Sequence, residues 1–299
     1  VETQSPRGAP APPQSPSATP APPPAPTPLV SVVLVAHDPG EWFNDVLAGL
    51  AAQDHRHLDI VVVDAGRRSG LADRVLHVLP DARTVEVPGS PGFGAAANRA
   101  VVGASGDQAN GGTGPNRIPS YHLFMNDDVV LDGTAVRRMV ERAVAVNAGV
   151  VGPKVLVGTD GRILHDMGCT VDRYGSPVPR LHPGEVDQGQ YDAEPDVFAV
   201  AEAALLVRTD LFAAVGGFDP EIRFLDGHVD LCWRARLAGA TVTTAPTAVG
   251  RTVSGDASAR RGTNPAILRP RHRLRMSLTN QASGRSATVV AELAAATVL

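Results

Sequence analysis

Leu29-Val-Ser-Val-Val-Leu-Val-Ala36 is an apolar, largely β-branched run interrupted only by a serine. A strand that is apolar at both odd and even positions has to be covered on both faces, which marks an interior strand of a parallel sheet. Helical spacing follows over Glu41 to Gln53, where Trp42, Val46, Leu47 and Leu50 recur on one side, and a second buried strand, Asp59-Ile-Val-Val-Val-Asp64, comes directly after. The pattern then predicts a helix near Leu71 to Leu79, a short strand near Thr84 to Val87, a helix over Ala95 to Val102 and a strand at Tyr121 to Met125. Strand alternating with helix requires right-handed crossovers. The expected class is therefore α/β, a doubly wound, mostly parallel sheet flanked by helices.

Around this core the organisation is uneven. Residues 1–28 are dominated by Pro, Ala, Ser and Thr, which cannot bury enough apolar surface to offset chain entropy, and are expected to form a disordered tail. Residues 104–120, rich in Gly, Asn and Pro, are expected to be a flexible insertion in a domain spanning 29–282. Residues 283–299 form a C-terminal tail. Its Ala287 to Leu299 stretch is apolar apart from Glu292 but shorter than the roughly 20 residues that cross a bilayer, and reads as a truncated amphipathic or core helix or, alternatively, as the start of a membrane-facing segment whose missing C-terminal continuation would associate with a membrane. The chain opens on Val1 without a basic segment followed by an apolar one, so no secretory signal is visible, and whether it is a fragment of a longer protein stays open.

A formal net charge of −4 gives no electrostatic case for nucleic acid, and no partner of that class is expected. Cys169 and Cys232 lie far apart without a CxxC partner, which argues against a zinc site or a disulfide framework and for a reducing compartment.

Ligands of open α/β sheets bind outside the carboxyl ends of strands. Asp38, Asp64 and the cluster Asn126-Asp127-Asp128 all fall at such ends. Adjacent carboxylates repel each other unless a cation or donor compensates, and Mg²⁺ or Mn²⁺, with phosphate oxygens and water completing the octahedron, suits the cluster. A helix cap is the plainer reading for Asp127 or Asp128, and equally for Asp64. Pro91-Gly-Phe-Gly94 ahead of Ala95-Ala-Ala-Asn98-Arg99 supplies a glycine turn that leads into a helix N-terminus, a geometry that can receive a diphosphate. It is neither GxGxxG nor a P-loop, which disfavours a nicotinamide oxidoreductase and a P-loop NTPase.

Taken in order, the first buried strand, Val-Val-Val-Asp64, Pro-Gly-Phe-Gly-Ala-Ala-Ala-Asn98-Arg, Leu-Phe-Met-Asn-Asp-Asp128-Val, Gly152-Pro-Lys, Leu-Leu-Val-Arg208, Val-Gly-Gly-Phe-Asp219-Pro and Val-Asp230-Leu-Cys-Trp-Arg resemble family 2 glycosyltransferases. The branch most similar is that of the rhamnosyl- and galactofuranosyl-transferases, and the resemblance covers roughly residues 29–282. It implies a GT-A fold and an inverting transfer from a nucleotide-diphosphate sugar to a hydroxyl of a glycan or lipid-linked acceptor. It further implies donor contacts from Ala36, Asp38, Asp64, Gly94, Asn98, Asn126 and Asp127, a metal ion on Asp128, and an acceptor loop at Gly217, Phe218 and Asp219, where Asp219 also reads as a local cap. A cytoplasmic location at the inner face of the plasma membrane goes with the family.

The chain departs from the family at two places. Where an acidic pair usually precedes Val-Asp-Leu-Cys-Trp-Arg stands Gly227-His228, which leaves His228, Asp226 and Asp230 as candidates for the general base. Where a histidine often completes the metal site stands Gly250-Arg251-Thr252, and the Arg251 guanidinium is available to pair with the donor diphosphate. These losses keep a second expectation open, a catalytically degenerate nucleotide-sugar-binding or scaffolding module.

Overall fold

The computed structural model describes residues 27–67, 70–89, 91–109, 118–158, 161–193, 196–253 and 264–281. The expected tails, over 1–26 and 283–299, and residues 110–117 of the expected insertion lie outside them.

Strands β1 (Val30–Ala36), β2 (Leu58–Asp64), β3 (Arg83–Glu86) and β4 (Tyr121–Asn126) pair in parallel in the order β3-β2-β1-β4. Helices α1 (Phe43–Ala51), α2 (Leu71–Val78) and α3 (Phe93–Ala109) connect them. The doubly apolar runs do what their pattern requires. Val30, Val32, Leu34 and Ala36 enter the core on one face of β1, and Val33 and Val35 enter the core on the other. Phe43, Val46, Leu47 and Leu50 of α1 are buried against the first face, each contributing about 1.5–3 kcal/mol of hydrophobic stabilisation. Helix α3 runs seven residues past its expected end at Val102. Once Ala96, Ala97 and Ala100 have packed its first turns, each further residue adds a hydrogen bond without a new nucleation cost.

The second half of the sheet differs from the expected, mostly parallel pattern. After the short β5 (Val129–Leu131) and helix α4 (Ala135–Ala145), strand β6 (Ala148–Val157) leads through β7 (Leu164–Asp166) and a small two-stranded ribbon, β8 (Cys169–Val171) with β9 (Pro177–Pro179), to β10 (Ala204–Arg208). Among the described residues no helix, the usual form of a parallel crossover, intervenes between β6 and β10, and β10 lies antiparallel between β4 and β6. Helices α5 (Thr209–Ala214) and α6 (Gly227–Leu237) then carry the chain to β11 (Thr241–Thr252), parallel to β6 and antiparallel to β5. The result is a mixed nine-stranded sheet, β3-β2-β1-β4-β10-β6-β11-β5 with β7 on β6, and the closing helix α7 (Pro265–Asn280) packs on α6. Among the described residues no helix is long and apolar enough to cross a membrane.

Candidate active site

The carboxyl ends of β1, β2 and β4 hold the expected acids, each in a different setting. Asp38, at φ 48°, accepts a 2.8 Å hydrogen bond from the Arg67 amide, and Asp64 accepts one of 3.0 Å from the Gly66 amide. A β-carbon at Gly66 would lie 2.6 Å from the Asp38 carboxylate, so the loops after β1 and β2 close on each other only with glycine there. Burial raises the Asp64 carboxyl above its usual range, with Glu86 and Asp38 adding to the effect and the Gly66 amide opposing it. Ala36 is fully buried, and its carbonyl accepts from the Ala65 amide at 2.9 Å, so it contributes register. Asp127, also fully buried, accepts from the His37 amide at 2.8 Å and ties β4 to the loop after β1.

Asn126 and Asp128 instead line a cavity of about 720 Å³ beyond the sheet edge. The same cavity is lined by Glu202, just before β10, and by Asp226 and His228 at the start of α6. Leu225 and Asp226 both sit at φ 59°, in the left-handed region. That conformation costs a non-glycine residue about 1 kcal/mol or more and persists only when the surroundings hold it. Here the buried His272 ring of α7 lies beside the Leu225 backbone. Asp226 is only 6 % exposed and lines the cavity, and its carboxylate has no hydrogen bond or ion pair among the described residues, although its carbonyl accepts from the Val229 and Asp230 amides at 3.0 and 3.2 Å. Burial raises its carboxyl, helped by Glu202 and opposed by His228 and Arg269. For His228 burial works the other way and keeps the imidazole neutral, against the pull of Asp226 and Asp166. Its Nδ1 is 3.9 Å from Glu202, too far for a hydrogen bond.

Asp230 is not part of this cavity. Its carboxylate takes the Arg234 guanidinium at 2.5 and 2.9 Å and the Asn280 amide of α7 at 2.9 Å. Two residues along an α-helix turn a side chain by about 200°, so with His228 on the cavity Asp230 points into the α6–α7 packing. The expected acceptor loop is likewise drawn inward. Phe218 is buried among Phe93, Phe124 and Phe212 with ring centroids 5.7, 4.9 and 5.6 Å away. Asn98 clamps it by donating to its carbonyl at 2.8 Å and accepting from its amide at 3.0 Å. Gly94 and Gly217 allow this approach: a β-carbon at Gly94 would lie 2.7 Å from that of Phe218, and one at Gly217 2.7 Å from the Asn98 oxygen. Asp219 caps the Glu221 amide at 2.9 Å and pairs with Arg275 of α7 at 2.6 Å. Thus Gly94, Asn98, Gly217, Phe218 and Asp219 build the scaffold next to the cavity and do not line it.

Arg251 is also turned away. It pairs with Asp132, while Thr252, the next residue along β11 and so on its other face, lines the cavity. The guanidinium that does line it is Arg269 of α7. Arg269, Glu202 and the pair His165-Asp166 were not singled out from the sequence. Glu202 carried a signal, being the only charged residue between Val197 and Val207; the others carried none. Cys169 and Cys232 are buried thiols pushed up to about 12 by burial, a setting that disfavours the thiolate at neutral pH.

A sheet of this order, helices on both faces and an acidic cavity beyond the carboxyl edge define the GT-A class of glycosyltransferases. The chain belongs to glycosyl transferase family 2, whose model matches residues 31–183. It is 26 % identical over 225 residues to the N-acetylglucosaminyl-diphospho-decaprenol L-rhamnosyltransferase of Mycobacterium tuberculosis, covering 71 % of this chain and 72 % of that one. Among solved structures it is similar to S. aureus TarS, with a TM-score of 0.55 and 14 % identity over 89 % of this chain and 42 % of TarS. It is similar also to GalNAc-T7 crystallised with UDP, GalNAc and Mn²⁺, with a TM-score of 0.58 and 14 % identity over 84 % of this chain and 47 % of that one. The chain therefore spans less than half the length of either solved protein. The family match ends before α6, so the segment from Asp226 to Asp230 lies outside it.

Proposed function

We propose that the protein moves a sugar, with inversion, from a nucleoside-diphosphate donor to a hydroxyl of a glycan or lipid-linked acceptor. The observation that carries this reading is that Asp128 and the Asp226–His228 pair line one cavity beyond the sheet edge. Asp64, at the carboxyl end of β2, and Asp38, just after β1, are the contacts for the nucleoside in this reading. The rhamnosyltransferase relative, named for a lipid-diphosphate acceptor, supports the acceptor class, and a lipid-linked acceptor favours work at the inner face of a membrane.

The donor set fits a hard divalent cation. Among the described residues Asp128, Asp166, Glu202 and Asp226 line the cavity against a single guanidinium, so an incoming diphosphate meets net negative charge there unless a cation accompanies it. Among the described residues no group of three or more His, Cys, Asp or Glu is arranged to hold a metal, and Mg²⁺ or Mn²⁺ needs only one or two carboxylates when phosphate and water complete its shell. Asp128 would hold the ion, which when bound stabilises charge on the departing diphosphate. Asp226 takes the proton from the acceptor hydroxyl as that oxygen attacks the anomeric carbon and the bond to the diphosphate breaks on the opposite face. Its raised pKa makes it a stronger base than an exposed carboxylate. The neutral His228 beside it is the second group able to accept that proton.

Sugar transfer from UDP-, GDP- and dTDP-sugars with Mn²⁺, run on wild type and Asp128→Ala, tests the reading. Asp128→Ala should lower turnover by roughly 10²–10³-fold; unchanged turnover sinks it. The alternative of a binding module without turnover has its support in Asp230, which is consumed in packing. It gains ground if nucleotide binds and no sugar moves.

A further inference from the structure

Helix α7 carries four arginines at alternate positions, and three of them have partners. Arg271 pairs with Glu221 at 3.7 Å, Arg273 donates to the Ser176 hydroxyl at 2.9 Å, and Arg275 pairs with Asp219 at 2.6 Å. Arg269 has neither a hydrogen bond nor an ion pair among the described residues, and its side chain borders the cavity. Its charge acts on Asp226 and His228 from a distance without closing a contact with either, so its planar set of N–H donors is available to a ligand. Pro265, one turn earlier on the same helix face, borders the cavity too. The Asn264 side chain caps that end of α7 through the Ala266 amide at 3.0 Å. The positive end of a 16-residue helix therefore lies on the same side of the cavity as the guanidinium.

We infer that Arg269 is a diphosphate-recognising residue, brought to the transfer cavity by the closing helix, and that it takes the role the sequence offered to Arg251. The inference rests on reading the cavity as the site of transfer. A guanidinium suits the task because it meets two phosphate oxygens at once, which an ammonium cannot do. Two diphosphates could present this chemistry, the donor nucleotide's and that of a lipid-linked acceptor, and a guanidinium in the cavity that Asp128 also lines is compatible with either.

The test is calorimetric titration of the full chain in the presence of Mg²⁺, using inorganic pyrophosphate, then UDP, GDP and dTDP, then farnesyl diphosphate. Arg269→Ala should weaken pyrophosphate binding by roughly tenfold or more, Arg269→Lys by less, and Arg271→Ala should match wild type. A loss confined to the nucleoside diphosphates assigns Arg269 to the donor, and one confined to the prenyl diphosphate assigns it to the acceptor. Wild type that binds none of these probes, Arg269→Ala within twofold of wild type, or an equal loss in Arg271→Ala overturns the inference. Arg269 is exposed and bonded to nothing described, so an unchanged unfolding midpoint in the alanine variant will show that the fold is intact. The readout is binding, independent of turnover: anion binding that needs Arg269 alongside transfer indifferent to Asp128 would keep this inference and reject the proposed function.

Discussion

Two acidic regions lie within a few residues of each other at the start of α6 and have opposite fates. On the cavity side Asp226 is buried without a partner and its backbone is held in a left-handed conformation. On the α7 side Asp230 is 1 % exposed and fully engaged by Arg234 and Asn280, and Asp219 is held by Arg275. A carboxylate with its partners in place fixes structure. One that is buried and unsatisfied costs stability, and such residues persist where chemistry needs them. The same local composition thus serves as clamp or candidate base according to what α7 presents to it.

The comparison breaks most decisively at Asp226. Asp226→Asn keeps a side chain that tolerates the left-handed backbone and removes the charge. Turnover should fall by about 10²–10⁴-fold while the thermal midpoint holds or rises, and a retained rate would move the base to His228. Asp230→Ala should show the reverse. Leaving Arg234 without its buried partner should cost about 3 kcal/mol of stability in urea unfolding, with transfer per folded molecule largely kept; lost transfer in a fully folded variant would place Asp230 in the chemistry after all. The smallest effect belongs to Asp219. Burial would raise its carboxyl, but Arg275 and the Glu221 amide outweigh this and hold it below the usual range. A depressed folded pKa contributes stability that is complete above the unfolded value of about 3.9 and is lost as pH falls through the lower folded value. Unfolding free energy should therefore drop on acidification below about pH 4, by less than about 1 kcal/mol from this pair because Arg275 is partly exposed. Arg275→Ala should flatten that part of the profile, and a slope unchanged in the variant would remove Asp219 from the clamp.

Asn98 and Gly94 sharpen the same contrast from the other side of the loop. Both stand in the motif through which the chain resembles its family, where the resemblance implied donor contacts, yet both are occupied with Phe218, one by paired hydrogen bonds and the other by leaving room for its ring. A motif residue can be required for the shape of a site without lining it.

The residues themselves determined the strands. β1, β2 and β4 are apolar on both faces, and a pattern that strong has one inexpensive solution, a covered interior sheet, which also places Asp64 and Asp128 at its carboxyl edge. The mixed second half was less legible, because the direction of β10 follows from the absence of a helix over a long irregular stretch. The choice among Asp226, His228 and Asp230, and the exchange of Arg251 for Arg269, could be made only by the tertiary structure. Each depends on which way a side chain turns relative to α7, and contacts such as Asn280 to Asp230, 50 residues apart in the chain, are set by packing that a local pattern does not encode.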